Sequence, residues 1–537
     1  MTTSAATNLN AFERISSALN ERFGPDVVRV VPPTGVNAEF DILQPTVLPN
    51  VCSFLFSEAD CSFGGIIVEE RENWNLRYVF LAPGSTWLHC LLRLPLSTTI
   101  VPSISTQIHA ADWYEREAED LFGLQFEEHP RLGDFVLHDQ VWQEGVAPMR
   151  KHFNAAAAEI EKRPKEDWHP MLVVQDPGAF AMPVGPVYEG GIGESVHFLL
   201  ETVGEDVIRA VPRLFYNYRA IEKMAEGQSA SDALLLAERF AATSAFAHSL
   251  AYCQAIENAT RVEVPERARI LRVALSELER LRHHAGSIAA ICQSTALSVS
   301  EAHASIIEEQ LLRASCVFTR HRYLFGLNTP GGLRRDFEPS ECEALLKAIE
   351  AESKQLNHLE EQLRFSSSFL DRLEDVGIVT PAKARELDLV GPVGRASGNC
   401  RDLRCEHPYS GYEGFRFEVA CEKEGDGYAR LRVLFEEARQ SAKLLNQALT
   451  ALIPGEVHNP LPETPRDTAA LGWVEAPTGA ALHWVRLDHG GSVERYRVLS
   501  PSFRNWLGLH IAVEDFAFQD FPIILATFAL SAAECDR

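Results

Sequence analysis

The chain has 537 residues, of which 46% are apolar and 23% are charged, and its formal net charge is -25. This length exceeds the roughly 250 residues at which one hydrophobic core stops growing, so we expect two or more folded domains. The acidic balance excludes nucleic acid as a main partner, because phosphate binding requires clustered Lys and Arg.

No segment of the sequence is typical of a membrane anchor or an export signal. The longest apolar candidate, residues 523–533, is much shorter than the roughly 18 residues of a membrane helix. The opening residues MTTSAATNLNAFERI have neither a basic region nor an apolar region. We therefore expect a cytoplasmic protein that does not itself span the bilayer.

The 11 cysteines are scattered and no two have a two-residue spacing. This pattern argues against a disulfide framework, a zinc ribbon and a ferredoxin-type cluster, each of which needs closely spaced or paired cysteines. We expect most of these residues to be buried thiols.

The first 152 residues are predicted to form a small α/β domain. Short apolar runs such as VVRVV before Pro32 and RYVFLAPG at 77–84 are broken by Gly, Pro and Asn, as strands are. Residues 153–184 contain an Ala-rich, charged stretch that ends at Pro164, which predicts a linker.

An acidic segment, DWYEREAEDLFGLQFEEHPRL, occupies residues 112–132. Composition alone favours a solvated acidic helix that ends at Gly123. The order of the residues favours a second interpretation, which depends on the family that the segment resembles.

Residues 185–537 are predicted to form a mainly helical domain. VYEGGIGESVHFLLETVGEDVIRAV alternates like a pair of antiparallel strands, and apolar residues then recur at helical spacing. Pro265 is placed for the first position of one of these helices. The predicted helices cover residues 231–259, 265–292, 296–325, 340–374 and 425–452. The predicted fold class is α+β, with a long-helix bundle and a small antiparallel sheet.

Several motifs together resemble one protein family. EREAEDLFGLQFEEHPRL and PMRK resemble the 30 kDa subunit of complex I, and the remainder resembles the 49 kDa subunit and the large subunit of group 4, formate hydrogenlyase-type hydrogenases. The markers of that second part include RLFYNYRAIEKMAE, FAHSLAYCQAIENATRVEVPERA, GLNTPGGLRRD and GPVGRASGNCRDLRCEHPY. The resemblance implies a 30 kDa-like domain over 1–152 and a 49 kDa-like domain over 185–537.

In that family the acidic segment is structural. The resemblance implies that it holds the small domain against the large subunit and against another subunit that carries an iron-sulfur cluster. The implied interface residues are Glu115, Arg116, Glu117 and Asp120.

The hydrogenase relatives hold nickel and iron with four cysteine thiolates, because soft sulfur ligands suit that metal pair. The matching positions here are Ala241, Ser244, Ser531 and Glu534, with Cys535 as a lone thiol beside them. Neither alanine nor serine replaces a bridging thiolate, so we expect no nickel, no hydrogenase activity and no directly bound cofactor.

The complex I relatives bind quinone through a loop histidine and a helix tyrosine. Tyr252 matches that tyrosine, although hydrogenase relatives share it and a helix-packing role is also open. The loop here is GPVYEGGIGE, with Tyr188 at the first histidine, so His197 or His248 remain as replacement donors. Ser294 or Thr295 falls near the acidic partner of that histidine.

Charged residues near the matched site have two interpretations each. Glu222, with Arg219, matches a proton-relay glutamate of the hydrogenases, or the two form a buried pair that fixes helix to sheet. Arg395, with Asp402 and Arg404, surrounds the family's pocket, or these residues bind one another. His283, His284, His321 and Arg322 are assigned no role.

The resulting hypothesis is a peripheral-arm subunit of an energy-converting, hydrogenase-related complex, peripheral to the cytoplasmic membrane. Its expected partners are an iron-sulfur small subunit and membrane ion-translocating subunits. Electrons from the partner's iron-sulfur cluster would reach a quinone or another small acceptor near Tyr252 and Tyr188. The alternative is a non-catalytic structural or conformational adaptor.

Overall fold

The computed structural model describes residues 3–34, 37–84, 86–138, 142–143, 145–156, 173–174, 177–186, 195–462 and 467–537. The chain divides into two compact units. The N-terminal unit comprises Met1–Met171, Arg213–Phe215 and Glu386–Asp388, and the large unit comprises Leu172–Pro212, Tyr216–Arg385 and Leu389–Arg537. The linker predicted over 153–184 lies mostly outside the described residues, and the predicted boundaries at 152 and 185 stay predictions.

The N-terminal unit is built on a mixed sheet. Its strands are β1 Val28–Thr34, β2 Asn37–Ile42, β3 Ser62–Glu70, β4 Asn73–Ala82, β5 Thr86–Pro95, β6 Ile100–Pro102 and β7 Gln125–Glu127. Its helices are α1 Thr3–Phe23, α2 Leu48–Ser53 and α3 Asp112–Phe122. The main sheet has the order β1-β2-β5-β4-β3, in which β2 and β5 are parallel and the other pairs antiparallel.

Strands β3, β4 and β5 are buried along most of their length. Because both faces are covered, these strands appear in the sequence as near-continuous apolar runs rather than as alternation. This confirms the predicted small α/β domain. Helix α3 ends at Gly123 in the left-handed conformation (φ 75°), as its sequence predicts.

In its described residues, the large unit contains long helices and three small sheets. Its helices are α4 Ile221–Met224, α5 Ala230–Arg239, α6 Ala245–Thr260, α7 Glu266–Ser294, α8 Ser298–Thr319, α9 Pro339–Arg364, α10 Ser367–Leu370, α11 Pro381–Glu386, α12 Gly391–Ala396, α13 Leu403–Glu406, α14 Gly427–Thr450, α15 Pro501–Val513 and α16 Phe521–Phe528. Its strands are β8 Ala179–Val184, β9 His197–Val203, β10 Asp206–Arg213, β11 Asn328–Thr329, β12 Gly332–Leu333, β13 Thr468–Ala476, β14 Gly479–Leu487, β15 Val493–Leu499 and β16 Phe516–Ala517.

Helix α7 is the centre of the helical body, with α8, α14 and α6 packed on it and α9 packed on α8 and α14. Strands β13, β14 and β15 form an antiparallel sheet, and α6 packs on β13 and β14. A core of α5, α6 and sheet residues fills the space between them. The predicted α+β class is confirmed.

Helix positions differ from the sequence prediction in three respects. The helix predicted over 231–259 is two helices, α5 and α6, joined by a 3-10 turn at Ala242–Ser244. Pro265 is the N-cap of α7 rather than its first residue. The helices predicted to reach 325 and 374 end earlier, at Thr319 and Arg364.

Seven of the 11 cysteines are buried free thiols, which confirms the expectation for most of them. Cys400 and Cys421 are bonded to each other, a single pair that the argument against a disulfide framework did not foresee. Their separation of 21 residues gave no sequence signal. Among the described residues, no helix has the length and apolar character needed to cross a membrane.

Candidate functional site

The break between α5 and α6 places two of the four matched ligand positions. Ala241 is in extended backbone and its side chain is part of the apolar core. Ser244 lies one turn later, immediately before α6, and is fully buried. A methyl group and a hydroxyl therefore take the places of two thiolates.

Glu534 faces this turn from the segment that follows α16. Its Oε1 accepts a hydrogen bond from the Ser244 hydroxyl at 2.6 Å and a longer one from Thr478 at 3.4 Å. Its Oε2 accepts the backbone N–H of Ser502 at 3.2 Å. Ser531 accepts the backbone N–H of Glu534 at 3.3 Å. Three of the four matched positions, Ser244, Ser531 and Glu534, are thus linked to one another.

The Glu534 carboxylate is fully buried and ionised. Burial raises the pKa of this carboxyl, but the adjacent His248 and the hydrogen bonds from Ser244 and Ser502 outweigh burial and lower its pKa to about 2. His248 Nε2 lies 3.5 Å from Glu534 Oε1.

A chain of buried side chains leads away from Glu534. His248 Nδ1 is 3.0 Å from His483 Nε2, and His483 Nδ1 is 2.8 Å from the Tyr496 hydroxyl. All three side chains are fully buried. His483 and Tyr496 are diagonal neighbours on β14 and β15, since Val485 is paired with Tyr496. We call Glu534, His248, His483 and Tyr496 the relay cluster.

Tyr252 borders the relay cluster but donates its hydroxyl elsewhere. Its ring meets that of Tyr496 edge-on, with centroids 5.4 Å apart. Its hydroxyl donates to the Ala230 carbonyl at 2.9 Å. Burial raises the pKa of Tyr252 well above its usual value, so the phenol stays neutral. Its predicted quinone partner Tyr188 lies outside the described residues.

Glu222 is enclosed by arginines. Its carboxylate lies 3.2 Å from Arg495 and Arg497 and 3.1 Å from Arg537, and it accepts the N–H of Val498 at 3.0 Å. Burial raises the pKa of Glu222, but Arg497, Arg495 and Arg537 lower it to about 2. These contacts keep Glu222 ionised. Its proton-relay role stays a prediction.

Arg219, the predicted partner of Glu222, forms hydrogen bonds with other residues. Its guanidinium donates to the Phe240 carbonyl at 2.7 Å, at the end of α5. Its backbone N–H donates to the Asp536 carbonyl at 2.8 Å.

Arg395 belongs to a separate buried charge cluster. It donates to Glu437 and Glu475 at 2.7 Å each. Arg404 donates to Asp402 at 2.7 Å and to Glu277 at 3.1 Å. Burial lowers the pKa of Arg395, but Glu437 and Glu475 raise it by more. The net pKa lies above its ordinary value, so Arg395 stays charged. These residues bind one another, as the second interpretation predicts.

The remaining candidates from the sequence analysis lie outside the matched metal positions. Ser294 and Thr295 each donate to the Ile291 carbonyl and so finish α7. His284 is 2.9 Å from Glu437 in the charge cluster. His197 is half-buried in β9.

The predicted interface residues of α3 are mostly buried inside the N-terminal unit. Glu115 accepts from the Ser103 hydroxyl at 2.6 Å and the Ile104 N–H at 2.7 Å, and burial raises its pKa to about 7. Arg116 lies over the Phe135 ring at 4.3 Å. Asp120 accepts the N–H groups of residues 136 and 137. The solvated helix favoured by composition is wrong, because Glu115, Arg116 and Glu117 are buried. Their interface role stays a prediction.

The residues present do not fit a nickel-iron centre. Ala241, Ser244, Ser531 and Glu534 supply no thiolate, and the Cys535 thiol is 3.8 Å from the Ser531 carbonyl. Within the described ranges, no group of three or more His, Cys, Asp or Glu side chains is arranged to hold a metal ion. The oxygen donors of this cluster instead satisfy each other.

Sequence reasoning missed His483 and Tyr496. The only signal was His483 in the strand-like run ALHWVRL, and the contacts of this histidine are not evident until β14 is packed on α6. The register of β14 against β15 then brings Tyr496 to it.

Comparisons with known proteins match three segments of the chain to protein families. Residues 42–159 match the 30 kDa subunit of respiratory-chain NADH dehydrogenase, and residues 306–470 match its 49 kDa subunit. Residues 219–285 match nickel-dependent hydrogenase.

Relatives that match most of this chain come from both the hydrogenase group and the NADH dehydrogenase group. The chain is 28% identical to formate hydrogenlyase subunit 5 of Escherichia coli K12, over 89% of this chain and 85% of the relative. It is 27% identical to hydrogenase-4 component G of the same organism, over 90% and 85%. It is 29% identical to the C/D subunit of NADH-quinone oxidoreductase from Acinetobacter baumannii (strain AYE), over 83% and 80%.

Proposed function

We propose that this chain, a fusion of 30 kDa-type and 49 kDa-type complex I domains, is a peripheral subunit of a membrane-bound oxidoreductase complex that contains no nickel-iron site in this chain. Its homologues are the C/D subunits of NADH-quinone oxidoreductase and the hydrogenase-4 type large subunits. The observation that carries the proposal is the bonding at the matched metal positions. At the matched metal positions, Glu534 and Ser244 bond to each other at 2.6 Å.

A buried carboxylate at this place supports a role without metal chemistry. A thiolate site needs soft donors directed at one point, whereas Glu534 receives hard O–H and N–H donors from Ser244, Thr478 and Ser502. These hydrogen bonds compensate the buried charge of the one carboxylate, so no metal ion is needed to balance it. The large-subunit fold then persists without the metal.

In the proposed complex, electrons come from an iron-sulfur cluster on a partner protein. Tyr252 supports a small acceptor such as a quinone, because it occupies the tyrosine position of the quinone-binding relatives. The N-terminal unit would dock the cluster-carrying partner, and other subunits would move ions across the cytoplasmic membrane. The chain itself would remain peripheral on the cytoplasmic side.

A second function is favoured by the bonding of Tyr252. Its hydroxyl is already satisfied by the Ala230 carbonyl, and its side chain is fully buried. A phenol in that state packs α6 on its sheet without meeting an acceptor. The chain would then be a conformational adaptor that transmits movement between the iron-sulfur partner and the membrane subunits.

The test is acceptor reduction by the complex, purified from membranes in mild detergent. Tyr252→Phe keeps the ring and removes the hydroxyl. If Tyr252 holds the acceptor, quinone reduction falls at least tenfold, which is about 1.4 kcal/mol of transition-state stabilisation. Tyr78→Phe is the matched control, since Tyr78 is an equally buried tyrosine of the N-terminal unit.

The adaptor function makes the opposite prediction. Tyr252→Phe would then leave every redox rate of the complex unchanged. Failure of this chain to co-purify with an iron-sulfur protein would contradict both functions.

A further inference from the structure

One surface segment of the large unit is closed at both ends by a disulfide. Cys400 is bonded to Cys421, and the Cα atoms of the two residues are 5.4 Å apart. Cys400 is exposed and Cys421 is half-buried, whereas seven of the nine free cysteines are buried. A thiol in solution can therefore reach Cys400 without unfolding of the chain, and an exposed disulfide is more easily reduced than a buried one.

The first half of the enclosed segment builds part of the buried charge cluster. Arg404 donates to Glu277 of α7 at 3.1 Å, and the Tyr412 hydroxyl donates to the same carboxylate at 2.5 Å. The backbone N–H of Leu403 donates to Glu475 of β13 at 3.1 Å. The side chains of Leu403, Arg404 and Tyr412 are all buried. This half of the segment is therefore anchored in the interior of the large unit.

The second half of the segment is a strap, which we define as residues 415–421. It forms neither helix nor strand, and residues 415–419 are exposed or half-buried. The Phe417 ring covers the Arg404 guanidinium, with its centroid 4.7 Å from the guanidinium carbon. The far end of the strap is held by Ala420, which packs in a small apolar core, and by the disulfide. The disulfide therefore fixes a segment that few other bonds hold.

We propose that the disulfide between Cys400 and Cys421 is a reversible latch that keeps the strap closed over the charge cluster. A dithiol reductant opens the latch. One thiolate of the reductant attacks Cys400 Sγ, the S–S bond breaks, and the Cys421 sulfur leaves as a thiolate that takes up a proton. The second thiol of the reductant then displaces the Cys400 sulfur, which also takes up a proton. Two electrons and two protons pass from the dithiol to the cysteine pair, and the dithiol becomes a disulfide.

Bonds next to the disulfide limit what its reduction releases. The N–H of Glu422 donates to the Arg395 carbonyl at 2.9 Å, and the N–H of Gly425 donates to the Ala396 carbonyl at 3.0 Å. These bonds do not depend on the disulfide. Reduction therefore returns conformational freedom to the strap and lets Phe417 leave the guanidinium, while the rest of the large unit stays folded.

This inference goes beyond the proposed function and does not depend on it, because the latch is testable on the purified full chain without an acceptor or a partner. The chain is incubated with oxidised or with reduced dithiothreitol and then treated with N-ethylmaleimide. After oxidation we expect label on Cys316 and Cys405, the two exposed free thiols, and none on Cys400. After reduction we expect label on Cys400 as well. Hydrogen exchange of residues 415–419 is expected to be at least tenfold faster in the reduced chain.

Arg404 shows whether the charge cluster opens together with the strap. Phenylglyoxal modifies accessible guanidinium groups, and mass spectrometry locates the modified arginines. We expect modification of Arg404 to be at least tenfold faster in the reduced chain than in the oxidised chain. Arg272 is the matched control, because it is an equally buried arginine paired with Glu257 at 2.7 Å. It is expected to stay unmodified in both states.

The double variant Cys400→Ser/Cys421→Ser removes the latch. We expect it to show the fast exchange of the reduced chain under both conditions, since it has no disulfide to reduce. Cys316→Ser removes an exposed free thiol of α8 and is expected to keep the response of the wild type. Reoxidation of the reduced wild type should restore slow exchange, and this measurement tests the latch even if the double variant does not fold.

Four results would overturn the inference. The first is full labelling of Cys400 after oxidation, and the second is a disulfide that dithiothreitol reduces only in the denatured chain. The third is equal exchange of residues 415–419 in the two states. The fourth is a reduced chain in which Arg404 stays as unreactive as Arg272.

Discussion

Glu534 illustrates how one residue can replace a missing ligand set. The sequence predicted which thiolates are absent, because that requires only the matched positions. It could not predict that the Glu534 carboxylate would accept from Ser244, since the two residues are 290 positions apart. Likewise His483 and Tyr496 acquire a role only when β14 and β15 are packed on α6.

Glu222 is a buried carboxylate that is paired with three arginines. Its carboxylate is shared by Arg495, Arg497 and Arg537 in a fully buried site. Glu222→Gln removes the carboxylate charge that these three guanidinium groups share. We expect a loss of about 3–5 kcal/mol in the free energy of unfolding, measured by urea denaturation at pH 7. Glu309→Gln, at an exposed pair with Arg322, is the control and is expected to change stability far less.

The same contacts give Glu222 a defined pH dependence. Its pKa in the folded protein is about 2, below its ordinary value of 4.5, so the unfolded chain binds a proton first as pH falls. The stabilisation is therefore complete above about pH 4.5 and is lost as pH falls towards 2. The gap in stability between wild type and Glu222→Gln should narrow across this window. A constant gap from pH 7 to pH 3 would contradict this assignment of charge.

At the scale of elements, the break between α5 and α6 is the feature that periodicity missed. Residues 240–245 contain no Gly or Pro, and their alanines favour a helix. Tertiary partners replace the helix bonds instead. Arg219 donates to the Phe240 carbonyl, and Glu279 accepts the N–H groups of Phe246 and Ala247 at 2.7 and 2.9 Å.

This break between α5 and α6 determines where Ser244 lies. A continuous helix would carry Ser244 along one regular face, whereas the break frees it to meet Glu534. The long helices α7, α8, α9 and α14 were predictable because their apolar spacing continues over many turns. Their ends were less predictable, since the last turns depend on local caps.

Gly472 sets the distance between α6 and its sheet. A Cβ added to Gly472 would lie 2.0 Å from the Ala251 carbonyl oxygen and 2.6 Å from the Ala255 nitrogen, both of them backbone atoms. Gly472→Ala must therefore push β13 away from α6. We expect a loss of about 3 kcal/mol in the free energy of unfolding, measured by urea denaturation.

Gly414→Ala is the matched control for this substitution. A Cβ at Gly414 meets no atom within 4 Å, so we expect little change in stability. Wild-type stability in Gly472→Ala would show that α6 and β13 are not held this closely.

At the scale of the whole molecule, the α+β class and the helical body followed from the sequence. The small domain did too, because its buried strands are visible as apolar runs. The disulfide between Cys400 and Cys421 did not, since the bond depends on two loops meeting. The burial of Glu115 and Arg116 was also not predicted from composition, because charge alone suggested a solvated helix.

At this scale the large unit keeps its helical body and sheet around matched metal positions that hold no thiolate ligands. The oxygen donors around Glu534 are mutually satisfied, and the buried His248 and His483 lie 3.0 Å apart at their ring nitrogens.

The most direct test is the nickel content of the complex purified from membranes, measured by mass spectrometry together with hydrogen evolution from reduced viologen. We predict nickel at background level and no hydrogen evolution in a complex that is fully assembled. Nickel in a one-to-one ratio with this chain, retained in wild type and lost in Glu534→Gln, would contradict the central claim.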